Sequence, residues 1–436
     1  MALLPGRAWG ADLKASADAL LQQLNAGGHF SGAAIIGLHG AVLWEGGVGR
    51  ADAHLPFTPD TVADGASLAK TVTAAAVWRL VAAGRLAIDD PVQRHLPEFP
   101  YAGVSVRQLL SHTAGLPDYD PFAPLAGDGP PPDNLALQGI MRRRSATPLF
   151  PPGTAFEYCN ICYSTLALLV ERVSGRPYAD VGVADLLHWA GARSAFLRPV
   201  RFADWPGLRT QGYASARADA PLFDSYDNEA IYGESNIMWS ARDLHAWASA
   251  WAQGAVLPAA VRRGAMAPAR IGRQASALTL ANWYCRRSAC HYTGHHQGFF
   301  SFVWWDAASR QTAVFISNSA LPPPLHPWLF RALIALGSGQ PVPRMPAFLP
   351  AEREVDMAAV SGRYDVAGVG RVTLGQEGDR LFVARGPGPR YTMFQVGHGT
   401  LYVPGLDAYL SFAPNGTLRW ESLLGSGQGR RMGPRP

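Results

Sequence analysis

The sequence predicts an α+β fold, in which a large domain built on an antiparallel sheet precedes a small all-β barrel or sandwich. Three observations carry this. Helical periodicity gathers between residues 13 and 253, and strand-like runs gather after Ala275. A stretch at 337–350 holds Gly337, Gly339, Pro341, Pro343, Pro346 and Pro350, a density that marks a linker. Short alternating runs separated by turn residues follow it. The organisation read from this is a domain at 1–337, a linker at 338–354 and a β-domain at 355–436.

Residues 13–25 form an amphipathic pattern with Leu13, Leu20, Leu21 and Leu24 on one face. Ala33–Leu38 and Val42–Gly47 flank His39-Gly40, a hairpin signal. Thr71–Ala83 is alanine-rich, unbroken by Gly or Pro, and ends at Gly84, which predicts a buried helix. Helices are also predicted at Val104–Ser111, Ser164–Val173, Ala241–Gln253 and Leu325–Leu336. Long loops at 117–134 and 199–228 have the character of cleft-lining segments. Strands are predicted at Leu278–Cys285, Ala289–Thr293, Phe299–Trp305 and Gln311–Ser317. Seven more follow the linker: Gly362–Val366, Arg371–Leu374, Arg380–Ala384, Tyr391–Val396, Leu401–Val403, Ala408–Phe412 and Thr417–Ser422.

Composition excludes several classes. With 48% hydrophobic and 16% charged residues the chain is too apolar for disorder. The net charge of +5 comes without a dense basic run beyond Arg142–Arg143–Arg144, which reads as a solvated helix face, so no nucleic-acid partner is expected. No apolar run is long enough to span a membrane. Residues Ala8-Trp9-Gly10-Ala11 resemble the cleavage end of a signal peptide, but no full apolar region precedes them. Compartment therefore stays open between export (periplasmic or secreted, which leads) and the cytoplasm, and a homo-oligomer is compatible with the sequence. Cys285 and Cys290 flank a four-residue segment between strand-like runs, so either a cross-hairpin disulfide or two buried thiols fits. Cys159-x-x-Cys162 has the form of a redox or zinc half-site without a second pair, and no metal or cofactor is expected.

The chain has only two lysines, Lys14 and Lys70; the other 36 of its 38 basic residues are arginine. Arginine keeps its proton in proteins, whereas a buried lysine can give it up. Lys70 closes the motif Ser67-Leu68-Ala69-Lys70 at the head of the predicted helix. Positions i and i+3 share a helix face, with Cβ atoms about 5–6 Å apart. A serine hydroxyl becomes a nucleophile when a neighbour takes its proton, and the helix N-terminus favours the developing negative charge. The bland alternative is a capping serine beside a surface lysine. A second stretch, Tyr158-Cys159-Asn160, offers a hydroxyl to relay a proton and an amide to hold Lys70 and a substrate carbonyl; in isolation it also reads as a buried ring and a turn residue. A third, Tyr292-Thr293-Gly294-His295, is a strand edge along which substrate could lie, with a backbone N–H after Gly294 and that of Ser67 forming an oxyanion hole. Alone it reads as an ordinary strand end.

In this order, S-x-x-K, Y-x-N and x-T-G resemble the serine β-lactamase and D,D-peptidase superfamily, in its class C branch, which also holds family VIII carboxylesterases and D-aminopeptidases. Further stretches fit, among them Leu96-Pro97-Glu98-Phe99, Val106–His112 through Thr113-Ala114-Gly115-Leu116-Pro117, and Ser240–Leu244. The resemblance spans about residues 28–320. It implies an antiparallel sheet flanked by helices with a helical lobe, and a site between them. It further implies Ser67 as nucleophile, Lys70 as base, Tyr158 as partner acid/base, Asn160 as a substrate-positioning residue, and Thr293-Gly294 on the binding strand. The C-terminal part is similar to the lipocalin-like barrel appended to some members.

One position departs from the pattern. The third motif begins with Tyr292 where the family usually has Lys or His, so the cation that would bind a substrate carboxylate is missing. That points to a small ester or an amide, handled by a carboxylesterase or a D-amino-acid-specific peptidase or amidase, and away from a β-lactamase or D,D-carboxypeptidase. His291 should face away from Tyr292 by strand alternation, while His295 and His296 are candidates for the pocket. Trp205, Tyr226, Tyr232 and Trp239 could shape it. Two other readings are weighed: an idle binding protein on the same scaffold, against which the intact Ser67, Lys70 and Tyr158 speak, and an α/β-hydrolase suggested by Gly65-Ala66-Ser67-Leu68-Ala69, which lacks the parallel sheet that fold needs.

Overall fold

The computed structural model of the chain describes residues 11–123, 125, 131–200, 204–207, 209–223 and 230–433. Tyr226 and the leader-like residues 1–10 lie outside them.

Helix α1 (Ala11–Ala26) buries Leu13, Leu20, Leu21 and Leu24, the four residues its periodicity aligns. The hairpin β1 (Gly32–Leu38) and β2 (Ala41–Val48) turns at His39-Gly40, both in the left-handed region. A two-residue strand β3 (Ala63–Asp64) then leads into α2 (Ala69–Ala82). The lobe continues with α3 (Val106–Leu110), α4 (Asn134–Arg144) and α5 (Asn160–Ser174). β4 (Phe196–Leu197) and β5 (Ile237–Trp239) join β3 in a small sheet, and α6 (Ala241–Ala252) and α7 (Ala259–Ala265) follow. The remaining strands of the main sheet are β6 (Pro268–Ile271), β7 (Gln274–Thr279), β8 (Tyr284–Arg286), β9 (Ala289–His296), β10 (Phe299–Asp306) and β11 (Gln311–Ser317), closed by α8 (Leu325–Gly337).

The sheet runs β2-β1-β11-β10-β9-β8-β7-β6 with antiparallel pairing throughout. Helices cover both faces, so β10 and β11 are buried along nearly their whole length and read as continuous apolar runs. One core lies between the sheet and the α1/α8 pair, around Phe302, Phe315 and Phe330. The other lies between the sheet and the helical lobe.

After the linker, a short helix (Met357–Val360) precedes a closed barrel of eight antiparallel strands: β12 (Gly362–Val366), β13 (Gly370–Glu377), β14 (Arg380–Arg385), β15 (Arg390–Gln395), β16 (Thr400–Val403), β17 (Ala408–Phe412), β18 (Leu418–Glu421) and β19 (Gly427–Arg431). The eighth strand, Gly-Gln-Gly-Arg-Arg, has no apolar alternation to announce it. Closure makes it a strand, since it pairs β12 on one side and β18 on the other.

Several sequence expectations need correction. The predicted strand Leu278–Cys285 is two strands, because the chain turns at Asn282 in the left-handed region. The helix expected from Val104 starts at Val106, where Ser105 and Gln108 form a capping box. The helix expected from Ser164 starts four residues earlier, at Asn160. A π-helix at Ala179–His188 and helix α4, whose last turn holds Arg142–Arg144 on its exposed face, were not anticipated as elements. Both cysteine pairs are disulfides: Cys285–Cys290 across the β8–β9 hairpin, and Cys159–Cys162 within the first turn of α5. The second pair is thereby closed on itself rather than shared with a metal, because one helical turn brings its two sulfurs together.

Candidate active site

The site begins at a strained turn. Between β3 and α2, Ala66 adopts φ 47°, a left-handed conformation that costs energy without glycine. The buried Asp64 carboxylate accepts the Ala66 N–H at 2.7 Å, and the Ser301 hydroxyl donates to the Gly65 carbonyl at 2.8 Å. These bonds hold Ser67 at the mouth of α2, half-buried, with Lys70 one turn behind it.

Lys70 is fully buried. Its Nζ lies 3.0 Å from Ser67 Oγ and donates to Asn160 Oδ1 at 2.8 Å and to the Glu234 carbonyl at 2.8 Å; the Glu234 carboxylate stands 3.5 Å away. The Tyr158 hydroxyl donates to Ser67 Oγ at 2.8 Å. Ser67 Oγ is therefore shared by an amine and a phenol.

The frame around these groups is equally ordered. Asn160 is the first residue of α5, and its amide donates to Asp118 at 2.8 Å. Asp118 also accepts the backbone N–H groups of Asn160 and Ile161, each at 3.1 Å. Burial pushes the Asp118 carboxyl up to about 6, against the pull of those N–H groups. The His112 ring stacks on the Tyr158 ring at 4.8 Å, and its Nδ1 accepts the Cys159 N–H at 3.0 Å. Burial lowers His112 to about 3, so it is a neutral platform with its proton on Nε2. Burial raises the Tyr158 hydroxyl above its ordinary range, while the bond to Ser67 and the contact with Tyr292 favour its anion.

Strand β9 divides the remaining candidates. Tyr292, Gly294 and His296 share one face, and His291, Thr293 and His295 the other. Tyr292 is buried, meets Tyr158, and stacks on Tyr284 at 5.8 Å. Gly294 packs directly on the Ser67 turn: a Cβ there would stand 2.2 Å from the Gly65 carbonyl oxygen and 3.0 Å from Ser67 N. His296 Nδ1 bonds the second Asp64 oxygen at 2.9 Å. His295, a sequence candidate for substrate binding, is exposed on the face away from this cluster, with its ring edge-on to Phe300 and His326. Thr293 points to that same face. His291 donates to Asp407 of the barrel at 2.7 Å. The three histidines thus diverge, and among the described residues no three of His, Cys, Asp or Glu form a metal-holding group. Of the aromatic candidates, Trp239 packs beneath Gly65, Tyr232 bonds Glu171 and stacks on Tyr178, and Trp205 packs on Phe196.

Sequence reasoning missed Asp118, His112, Glu234, Asp64 and the Ser301 brace. His112 and Asp118 bracket the stretch Thr113–Pro117 that the resemblance had marked, so a buried acid and ring there were within reach. Glu234, whose backbone carbonyl accepts from Lys70, left no signal.

The barrel abuts this frame. Thr392 bonds Glu157 at 2.6 Å, Tyr391 packs on Phe156 at 5.7 Å, and the Tyr284 hydroxyl donates to the Pro404 carbonyl. Gly405 fits between Phe156 and Tyr391 only because it has no side chain; a Cβ would lie within 2.7 Å of both rings.

The model of the Beta-lactamase family matches residues 17–336. The chain belongs to the beta-lactamase family. This family member is similar to penicillin-binding protein 4* of Bacillus subtilis, at 24% identity over 90% of this chain and 92% of that protein. It is also similar to esterase EstB of Burkholderia gladioli, at 36% identity over 44% of this chain and 54% of that one. Among solved structures, its fold matches the octameric penicillin-binding protein homologue of Pyrococcus abyssi with a TM-score of 0.65 at 18% identity, over 96% of this chain and 100% of that one. It also matches the D-amino acid amidase of Ochrobactrum anthropi with a TM-score of 0.56 at 20% identity, over 71% and 92%. The chain is a serine hydrolase of this superfamily with an antiparallel sheet, flanking helices and an appended barrel.

Proposed function

We propose that Ser67 attacks the carbonyl of a small ester or amide and carries the acyl group, with Lys70 as its base and Tyr158 as the acid/base that serves the leaving group. The observation that carries this reading is the sharing of Ser67 Oγ by Lys70 Nζ at 3.0 Å and Tyr158 OH at 2.8 Å. A neutral Lys70 reverses the first bond: Ser67 O–H donates to Nζ, and attack delivers the proton there. Nζ keeps its Asn160 and Glu234 acceptors throughout, so the amine stays aimed at Ser67. Tyr158 then protonates the departing alkoxide or amine. The Ser67 N–H, with a β9 backbone N–H beyond Gly294, stabilises the oxyanion. Water releases the acid. No cofactor enters this scheme.

The substrate class follows from Tyr292. It stands where a carboxylate-binding cation would be, buried and bonded into the phenol pair, and it carries no charge at neutral pH. An ester or an uncharged amide suits this site better than a penicillin or a peptide with a free carboxyl terminus. EstB by its name is an esterase and the Ochrobactrum protein by its title a D-amino acid amidase, which supports the same pair of substrates.

The test is labelling and turnover together. A fluorophosphonate should label Ser67, and Lys70→Met should lower kcat/KM on p-nitrophenyl esters about 10^2- to 10^4-fold. A panel of p-nitrophenyl esters, D-aminoacyl anilides and nitrocefin should rank nitrocefin last. An unlabelled Ser67 means an idle scaffold; full activity in Lys70→Met removes the assigned base; a preference for nitrocefin overturns the argument from Tyr292.

A further inference from the structure

We propose that the barrel places the acid/base: Tyr391 and Thr392 are positioning residues that hold Tyr158 at hydrogen-bond distance from Ser67. This rests on the reading of Tyr158 as the group that serves the leaving group, and it gives the appended barrel a part in the reaction.

Tyr158 stands on a stretch that does not hold itself in place. Residues 156–159 belong to no helix or strand, so no regular ladder of backbone bonds fixes them. One set of supports is His112. Its carbonyl accepts the Glu157 N–H at 3.0 Å, its ring nitrogen accepts the Cys159 N–H at 3.0 Å, and its ring stacks on Tyr158. The other set comes from the barrel, where two consecutive residues of β15 meet the two residues that precede Tyr158. The Thr392 hydroxyl donates to Glu157 Oε2 at 2.6 Å, and the Tyr391 ring packs on Phe156 at 5.7 Å. Phe156 in turn meets the His112 ring at 5.7 Å, so the two sets of supports join.

A second arm of the barrel reaches the same phenol by another route. The Tyr284 hydroxyl donates to the Pro404 carbonyl, the Tyr284 ring stacks on Tyr292 at 5.8 Å, and Tyr292 meets the Tyr158 hydroxyl. The next residue, Gly405, lets the barrel come this close, since a Cβ there would press on both Phe156 and Tyr391. These contacts end on residues beside the acid/base rather than on the outer surface of the lobe. A proton donor works only within reach of the atom it serves, and a misplacement of about 1 Å costs about 10^2-fold in rate. Tyr158 stands 2.8 Å from Ser67 Oγ, a distance with little slack.

The test separates placement of the phenol from support of the fold. Thr392→Val keeps the shape and suits a strand but removes the donor. Glu157 is half-buried, so water takes up its carboxylate and the urea midpoint should stay at that of the parent. kcat/KM should fall about 10-fold on ethyl butyrate, whose alkoxide needs a proton to leave, and less than about 3-fold on p-nitrophenyl butyrate, whose leaving group needs none. Thr392→Ser, which keeps the hydroxyl, should restore the rate on ethyl butyrate. In a Tyr158→Phe background Thr392→Val should have no further effect, because the hydroxyl it places is gone. Equal losses on the two esters, a loss that adds in full to that of Tyr158→Phe, a lowered midpoint that accounts for the lost rate, or an unchanged kcat/KM in Thr392→Val overturns the proposal. Full turnover of ethyl butyrate by Tyr158→Phe defeats the acid/base reading itself, whatever Thr392 does.

Discussion

The two faces of strand β9 do opposite work with nearly the same residues. Tyr292, Gly294 and His296 face the Ser67 turn, where each touches a group in or beside the proposed chemistry. His291, Thr293 and His295 face the other way, and the two histidines there join the molecule together: His291 to Asp407 of the barrel, and His295 to the stack of Phe300 and His326. Three histidines within six residues look interchangeable in sequence. A strand period of two separates them, and what lies over each face then decides whether an imidazole meets the Ser67 turn or the barrel.

The sharpest way to break this division is to crowd the site face. Gly294→Ala places a methyl 2.2 Å from the Gly65 carbonyl, a backbone atom that cannot swing aside. Forcing room there should cost about 1–3 kcal/mol and shift the Ser67 amide from the oxyanion position. A loss of about 10^2-fold or more in kcat is expected, read by ester turnover beside a urea melt. Retained activity would mean that β9 does not form the wall of the reaction site.

The opposite face should answer in stability before rate. Asp407 is buried and accepts from both His291 and the Tyr402 hydroxyl, the latter at 3.0 Å. Asp407→Ala leaves those two donors without a partner in a place water does not reach, at a cost of about 1–3 kcal/mol. A urea melt should show a lowered midpoint while the folded enzyme keeps its KM. A selective loss of kcat with unchanged stability would place Asp407 in the chemistry and dissolve the distinction between the faces.

This contrast also marks what the sequence could convey. Ser67 and Lys70 were legible because their spacing is local: one helical turn joins them whatever surrounds it, and lysine is so rare here that its position informs. The amphipathic α1 and the β1–β2 hairpin were legible for the same reason. Asp64 and His296 sit 232 positions apart, and only the packing of the Ser67 turn against β9 unites them. Glu234 contributes a backbone carbonyl, which no residue type announces. Strand β19 is written in glycine and arginine, and only its two neighbours make it a strand. His295 shows a related limit: adjacency to Gly294 suggested the pocket, while strand alternation places its ring on the opposite face of β9 from the Ser67 turn.

His295 supplies the smallest and most discriminating expectation. Its side chain is exposed on the far face, its ring lies edge-on to Phe300 and His326, and desolvation by these neighbours lowers its pKa. Phenylalanine is close to it in shape and meets the same aromatic edges. His295→Phe should therefore change stability by less than about 1.5 kcal/mol, since the exchange keeps the volume and the aromatic contacts. Ester turnover should stay within a few-fold of the parent, because neither the Ser67 pair nor the Asp64–His296 pair is disturbed. A drop in kcat/KM as large as that of Gly294→Ala would mean that the ring reaches substrate after all, through a movement of β9 that the packed arrangement does not contain. Such a drop would erase the difference between the faces, since His295 and its sequence neighbours on the Ser67 side differ only in the side to which the strand turns them.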